Sequence, residues 1–181
     1  METFTKPKEL VENLEFQSQK DRVLKTLSPD MIEKPLLNLV NGFNSLPHCF
    51  TLQCCYGHFI YEDQSNPNNI EPLPVTTEII GVEYRIAYIA FCIECSYLGK
   101  KLIDSLRSVP SIDPSNIQFG CANWFWNRQV NSYALQVEPQ RFQDKDKVTL
   151  YYSEALIIEK VRNRFFKQLE LLLAETPIIP G

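Results

Sequence analysis

Between Asn44 and Tyr61 the chain reads Asn-Ser-Leu-Pro-His-Cys-Phe-Thr-Leu-Gln-Cys-Cys-Tyr-Gly-His-Phe-Ile-Tyr, a stretch holding both histidines and three of the six cysteines of the 181-residue sequence. A thiol beside an imidazole supports two chemistries, metal ligation and nucleophilic attack by a thiolate. Spacing counts against the metal. A strand rises roughly 3.3 Å per residue, so Cys49 and Cys55 would lie about 20 Å apart on one face, while Cys54 and Cys55 point to opposite faces. Only Cys55 and His58, across a turn at Gly57, would approach one ion, and two ligands do not make a zinc site. No metal is therefore expected. The same turn would bring the imidazole of His58 to the sulfur of Cys55, which makes these two residues the catalytic candidates. The competing reading takes Cys54 and Cys55 as small core residues and His58 as a half-buried partner of a backbone carbonyl.

A second cluster, Asn123-Trp124-Phe125-Trp126-Asn127-Arg128, carries both tryptophans and a flanking arginine. Exposed, it is a stacking platform for an adenine or an extruded base, with Trp124, Trp126 and Arg128 as substrate-binding candidates. Buried, it is a core strand whose indole N–H groups find local partners. Lys160, Arg162, Arg164 and Lys167 lie on one helical segment, either as a phosphate-contacting face or as its solvated side. Only six glycines occur, with no Gly-x-Gly and no phosphate loop, so the usual dinucleotide fingerprint is absent. His-Glu-x-x-His and Gly-x-Ser-x-Gly are absent as well.

The elements that must position these residues follow from apolar periodicity. Pro7 to Leu27 is helix-permissive, and Ser28-Pro29 reads as a cap followed by proline at the first helical position. The helix after it carries Met31, Ile32, Leu36, Leu37, Val40 and Phe43, with Pro35 bending or dividing it. Cys49 to Cys55 reads as a strand and Gly57 as a turn or bulge. Residues 62–77 form a long Asn- and Pro-rich loop, a lid or simply surface. Ile86 to Ile93 is apolar at nearly every position and is expected to be a central strand buried on both faces. Ser96 caps a helix running to about Val109. Asn116 to Trp126 and Val130 to Val137 read as strands, and Tyr152 to Ala174 is the clearest helix. The order predicts an α/β (α+β) fold: a single domain over residues 1–181, with a mixed or mainly antiparallel central sheet, N-terminal helices and a long C-terminal helix.

The totals set the context. A hydrophobic content of 44% and a length of 181 residues fit one globular core. The net charge of −4 argues against a chain that coats nucleic acid through its overall field. Arg128 to Lys167 holds eight basic against five acidic residues, which leaves room for a local basic face. No apolar run is long enough for a bilayer and the first residues lack a signal-peptide core, so a cytoplasmic protein with reduced thiols is expected.

Phe50-Thr51-Leu52-Gln53-Cys54-Cys55-Tyr56-Gly57-His58 resembles the Phe-Thr-Thr-Ser-Ser-Cys-Ser-Gly-Arg signature of the tRNA wybutosine-synthesis methyltransferases, the third enzyme of that pathway and its archaeal relatives. Asp30, Leu36, Leu39, Asn44, Leu46 and Pro47 occupy places comparable to the residues that precede the signature there. Phe50, Thr51, Cys55 and Gly57 match. Gln53, Cys54 and Tyr56 stand where serines are expected, and His58 replaces the arginine. The match is specific in the first third and topological afterwards, as in a distant relative. The resemblance implies S-adenosylmethionine as cofactor, bound by Thr51, Gln53 and Gly57 in a pocket shared with Cys55 and His58. It also implies methyl transfer to a ring nitrogen of a modified guanine in tRNA or a related nucleoside. His58 lacks the permanent charge and bidentate fork of arginine, so the scaffold can persist with a changed substrate. Two further functions stay open: a non-catalytic module binding a small molecule or a protein, and a thiol-based enzyme.

Overall fold

In the computed structural model, described over residues 4–64, 66–76, 78–142 and 145–176, eight strands form two antiparallel sheets. The five-stranded sheet has the order β1 (Phe4–Thr5), β6 (Ile117–Ala122), β7 (Ser132–Val137), β5 (Ala87–Ile93) and β2 (Cys49–Cys55). The three-stranded sheet runs β3 (His58–Ile60), β4 (Gly81–Arg85) and β8 (Lys147–Tyr151). The helices are α1 (Phe16–Thr26), α2 (Leu37–Ser45), α3 (Tyr97–Ser108), α4 (Asn123–Arg128) and α5 (Tyr152–Glu175). The fold is thus a single α+β domain with N-terminal helices and a long C-terminal one.

The two faces of the larger sheet differ, and that difference creates the site. Ile89, Phe91, Ile93, Leu135 and Cys49 join the main core with Phe43, Leu102, Leu106, Phe165 and Leu169 of the helices. Side chains alternate across a strand, so Tyr88, Ala90 and Cys92 face the other way. There Phe16 and Val23 of α1 pack with Phe50, Leu52 and Cys92, and the part of that face around Tyr88 and Ala90 is left as a cavity edged by α4. Strand β5 is central, and all of its residues except Tyr88 are buried. Tyr88 is half-buried because the uncovered half of the sheet begins there.

Several local readings change. Pro29 and Pro35 divide the expected second helix into 3₁₀ turns at Pro29–Met31 and Lys34–Leu36, followed by α2. Ser28 sits at the first boundary but its side chain makes no capping hydrogen bond, and Met31 is exposed. Ser96, by contrast, accepts the Gly99 N–H at 3.1 Å and caps α3 as expected. The aromatic cluster is a helix rather than a strand. Strand β6 ends at Ala122, and Asn123–Arg128 coil as α4 before β7 begins. Residues 62–76 are pinned where described: Leu73 is buried with its N–H on Glu159 Oε1 (2.9 Å), and the Tyr152 hydroxyl donates to the Pro74 carbonyl.

His48 lies in the core at 4% exposure, and its Nδ1 has no hydrogen-bond partner among the described residues. Burial holds its pKa below the ordinary 6.5, against the opposing pull of Glu94. A depressed native pKa means that the unfolded chain takes up a proton first. The stability present above about pH 6.5 is therefore lost as pH falls towards the native value. Urea midpoints at neutral and mildly acidic pH should drop further for the wild type than for His48→Gln.

Candidate functional site

The chain leaves one sheet for the other at two adjacent corners, and the site is built around them. Strand β2 becomes β3 through Tyr56-Gly57, and β4 becomes β5 through Ile86. Across the corner Cys55 pairs with Tyr88 in one sheet and His58 with Arg85 in the other. Gly57 has φ +87°, and a Cβ placed on it would stand 2.8 Å from Ala87 Cβ and 3.1 Å from Ala87 N. Only glycine tolerates both conditions. The reversal brings the imidazole of His58 beside the Cys55 sulfur, as the spacing predicted.

A third group, not identified from the sequence, completes the cluster. Glu33 is extended (φ −60°, ψ 132°) between the two proline-led turns, and its Oε1 lies 2.8 Å from His58 Nε2. Its Oε2 accepts the Tyr56 N–H at 2.5 Å. The Cys55 sulfur, a ring nitrogen of His58 and a carboxylate oxygen of Glu33 all lie within 4.8 Å of one another. The Cys55 sulfur and then the Glu33 carboxylate hold the His58 pKa at about 10, against the effect of burial. For Glu33, burial opposes ionisation, but the bonds from His58 and Tyr56 bring its pKa below the ordinary value. His58 Nδ1 faces the Asn69 carbonyl at 3.4 Å. An expectation based on Cys55 and His58 alone counted two ligands; the structure places three together. Glu33 was hidden because its segment read as a helix face, whereas Pro35 forces it out of the helix.

A bulge at Leu52 decides which side chains share a surface. The register between β2 and β5 shifts between Thr51 and Gln53. The even spacing of Cys49 and Cys55 therefore does not put them on one face: Cys49 enters the main core while Cys55 borders a cavity. Thr51 is left on the core side, where its N–H and hydroxyl both donate to Asn44 Oδ1 (2.7 and 3.1 Å). It does not border the cavity and acts structurally, tying β2 to α2. Gln53, exposed, does border it.

The cavity measures about 430 Å³ and lies on the half of the larger sheet that α1 leaves bare. Its floor is Gln53, Cys55, Tyr88, Ala90, Ala134 and Gln136. Trp124 and Phe125 wall it on one side, and Arg85, Lys145 and Asp146 edge it on another. Gln136 Nε2 donates to Glu138 Oε2 (2.6 Å), and Glu138 Oε1 accepts the Lys145 N–H (3.2 Å), so a buried carboxylate also lies in the lining. Tyr88, Gln136 and Phe125 were missed from the sequence. The alternation of β5 and β7 carried the first two, but nothing local says which face a helix leaves open.

The two tryptophans separate. Trp124 is 36% exposed, stacked on Phe125 (5.1 Å between centroids), with the Arg128 guanidinium 5.0 Å from its ring. Trp126 turns away to pack edge-on against Tyr133 (5.6 Å) with Lys8 over it (5.1 Å), and it does not line the cavity. The helical coil of α4 explains this, since residues two apart do not share a helix face. The basic run on α5 divides: Lys160, Arg164 and Lys167, spaced by four and three, share an exposed face, while Arg162 lies outside it. Arg162 is buried at 2% exposure, Lys160 and Arg164 are exposed, and Lys167 pairs with Glu170 at 3.0 Å.

Comparison with known proteins places the fold. No family model matches the chain, and no curated protein does. Among solved structures, the PH1069 protein of Pyrococcus horikoshii is similar over 91% of this chain and 97% of its own, with a TM-score of 0.52 and 12% identity. A second structure of PH1069, from strain OT3, covers 90% of this chain and 94% of its own at a TM-score of 0.48 and 12% identity. The former supports a shared α+β architecture over nearly the whole chain. No helix among the described residues is long and apolar enough to cross a membrane.

Proposed function

We propose that the cavity on the bare half of the five-stranded sheet binds S-adenosylmethionine and that the chain transfers its methyl group to a base, a modified guanine of tRNA or a related nucleoside. The observation that carries this reading is the pairing of an aromatic wall, Trp124 and Phe125, with a polar floor in a cavity of about 430 Å³. That volume lies within the range of ligand pockets, roughly 300–1,000 Å³. The residues suit the cofactor chemically. Trp124 and Phe125 offer a stacking surface for adenine, Asp146 and Gln53 offer partners for ribose hydroxyls, and Arg85 offers a cation for a carboxylate. When bound, the cofactor supplies an activated methyl group on a sulfonium. The chain's part is alignment and exclusion of water, which transfer of this kind needs more than an acid or a base. The resemblance of the segment Phe50 to His58 to the wybutosine methyltransferases supports the same reading.

Calorimetry with S-adenosylmethionine tests it. Saturable binding is expected, weakened roughly 5- to 150-fold in Trp124→Ala, because stacking on an aromatic side chain contributes about 1–3 kcal/mol per base. No heat and no thermal shift at millimolar cofactor would refute it. Burial of His58 at 6% exposure favours a second reading, a binding module that keeps the fold without catalysis. In that case Cys55→Ala leaves function intact while Trp124→Ala abolishes it.

A further inference from the structure

We propose that Cys55, His58 and Glu33 form a zinc site whose fourth position opens into the cavity. This goes beyond the cofactor reading and stands without it. The three donors are a cysteine sulfur, a ring nitrogen of histidine and a carboxylate oxygen, each a ligand type of zinc, and three protein ligands with one open position is the arrangement of catalytic rather than structural zinc. Their ligating atoms already lie within 4.8 Å of one another. A tetrahedral ion with bonds of about 2.0–2.3 Å needs neighbouring donors roughly 3.3–3.8 Å apart, which small side-chain rotations reach.

What distinguishes this cluster from a chance meeting is its outer shell. His58 directs Nε2 at Glu33 Oε1 and Nδ1 at the Asn69 carbonyl, 3.4 Å away. A metal-bound histidine is commonly held in this way, its second ring N–H donating to a backbone carbonyl while the first nitrogen faces the ion. Glu33 is arranged likewise, with Oε2 anchored by the Tyr56 N–H and Oε1 2.8 Å from His58 Nε2. Without the ion, a proton on Nε2 shared with Glu33 occupies the same place. Cys55 borders the cavity and His58 does not, so the position left for water or substrate lies on the cavity side.

The test uses the full-length protein with zinc and with cobalt. Zinc retained through dialysis at one equivalent per chain is expected, and cobalt in its place should give the near-ultraviolet thiolate-to-metal band. Cys55→Ser and Glu33→Gln should each reduce zinc affinity at least tenfold, and Cys55→Ser should abolish the cobalt band with an unchanged circular dichroism spectrum. Cys54→Ser, on the opposite face of β2, should leave the band intact. Absence of stoichiometric zinc and of the band in the folded wild type overturns the proposal, as does a band that survives Cys55→Ser. Binding of S-adenosylmethionine in a chelator-treated sample is read separately, so failure of one proposal leaves the other standing.

Discussion

Arg162→Ala is expected to destabilise the chain by about 3–5 kcal/mol, the range for removing one member of a buried charged pair. Arg162 comes from α5, is 2% exposed, and closes the corner from behind. Its Nη1 donates to the Gly57 carbonyl (3.0 Å), its Nε and Nη2 reach Asn163 Oδ1 (3.1 and 3.0 Å), and its Nη2 faces Glu159 Oε1 at 3.7 Å. The guanidinium also lies 4.3 Å from the Tyr56 ring and 5.1 Å from that of Phe59. Truncation strips a buried carbonyl of its donor and, among the described residues, leaves the Glu159 carboxylate with only the Leu73 N–H. Urea unfolding should show a lower midpoint with an unchanged slope, and Arg162→Lys should recover only part of it because lysine lacks the planar fork. A variant within about 0.5 kcal/mol of the wild type, the range of ordinary surface substitutions, would contradict this role.

Gly57→Ala should cost about 3 kcal/mol. A left-handed residue with a Cβ carries about 1–3 kcal/mol of strain, and the contact with Ala87 adds an overpacking term. The Ala87 N and Cα lie 3.1 and 3.2 Å from the added carbon, so the backbone itself must move. The double variant Gly57→Ala with Ala87→Gly separates the two effects: it removes the clash with the Ala87 methyl and keeps the dihedral strain. Partial recovery in the double variant is expected. Full recovery would mean that the backbone angle costs nothing, and no loss in the single variant would mean that the corner is not tight. The same movement displaces His58 from Cys55, so the proposed zinc and cofactor binding should both weaken in Gly57→Ala.

The sequence made the fold class legible because apolar periodicity and turn residues agree along most of the chain. Strand β2, central strand β5, the Ser96 cap and helix α5 fall where that periodicity puts them. The corner at Gly57 was legible for the same reason, since a lone glycine between a strand and an aromatic run has few other uses. The bulge at Leu52 was not, because it leaves no residue-type mark, and it alone reverses the facing of Cys49 relative to Cys55. The cluster Trp124 to Trp126 was misread as strand because aromatic residues carry strand preference, which tertiary context overrides in a six-residue helix. Glu33 was out of reach for a different reason: its meeting with His58 depends on two prolines and a sheet-to-sheet crossing 25 residues away in the chain.

The most direct measurement of the cavity reading uses tryptophan itself. Trp126→Phe leaves Trp124 as the single indole of a chain that has two tryptophans, positioned on the cavity wall. Titration of this variant with S-adenosylmethionine should quench or shift its fluorescence saturably, with the same midpoint that calorimetry gives for the wild type. Fluorescence that stays flat while calorimetry reports binding would put the ligand elsewhere, and a flat response in both would remove the ligand from the account.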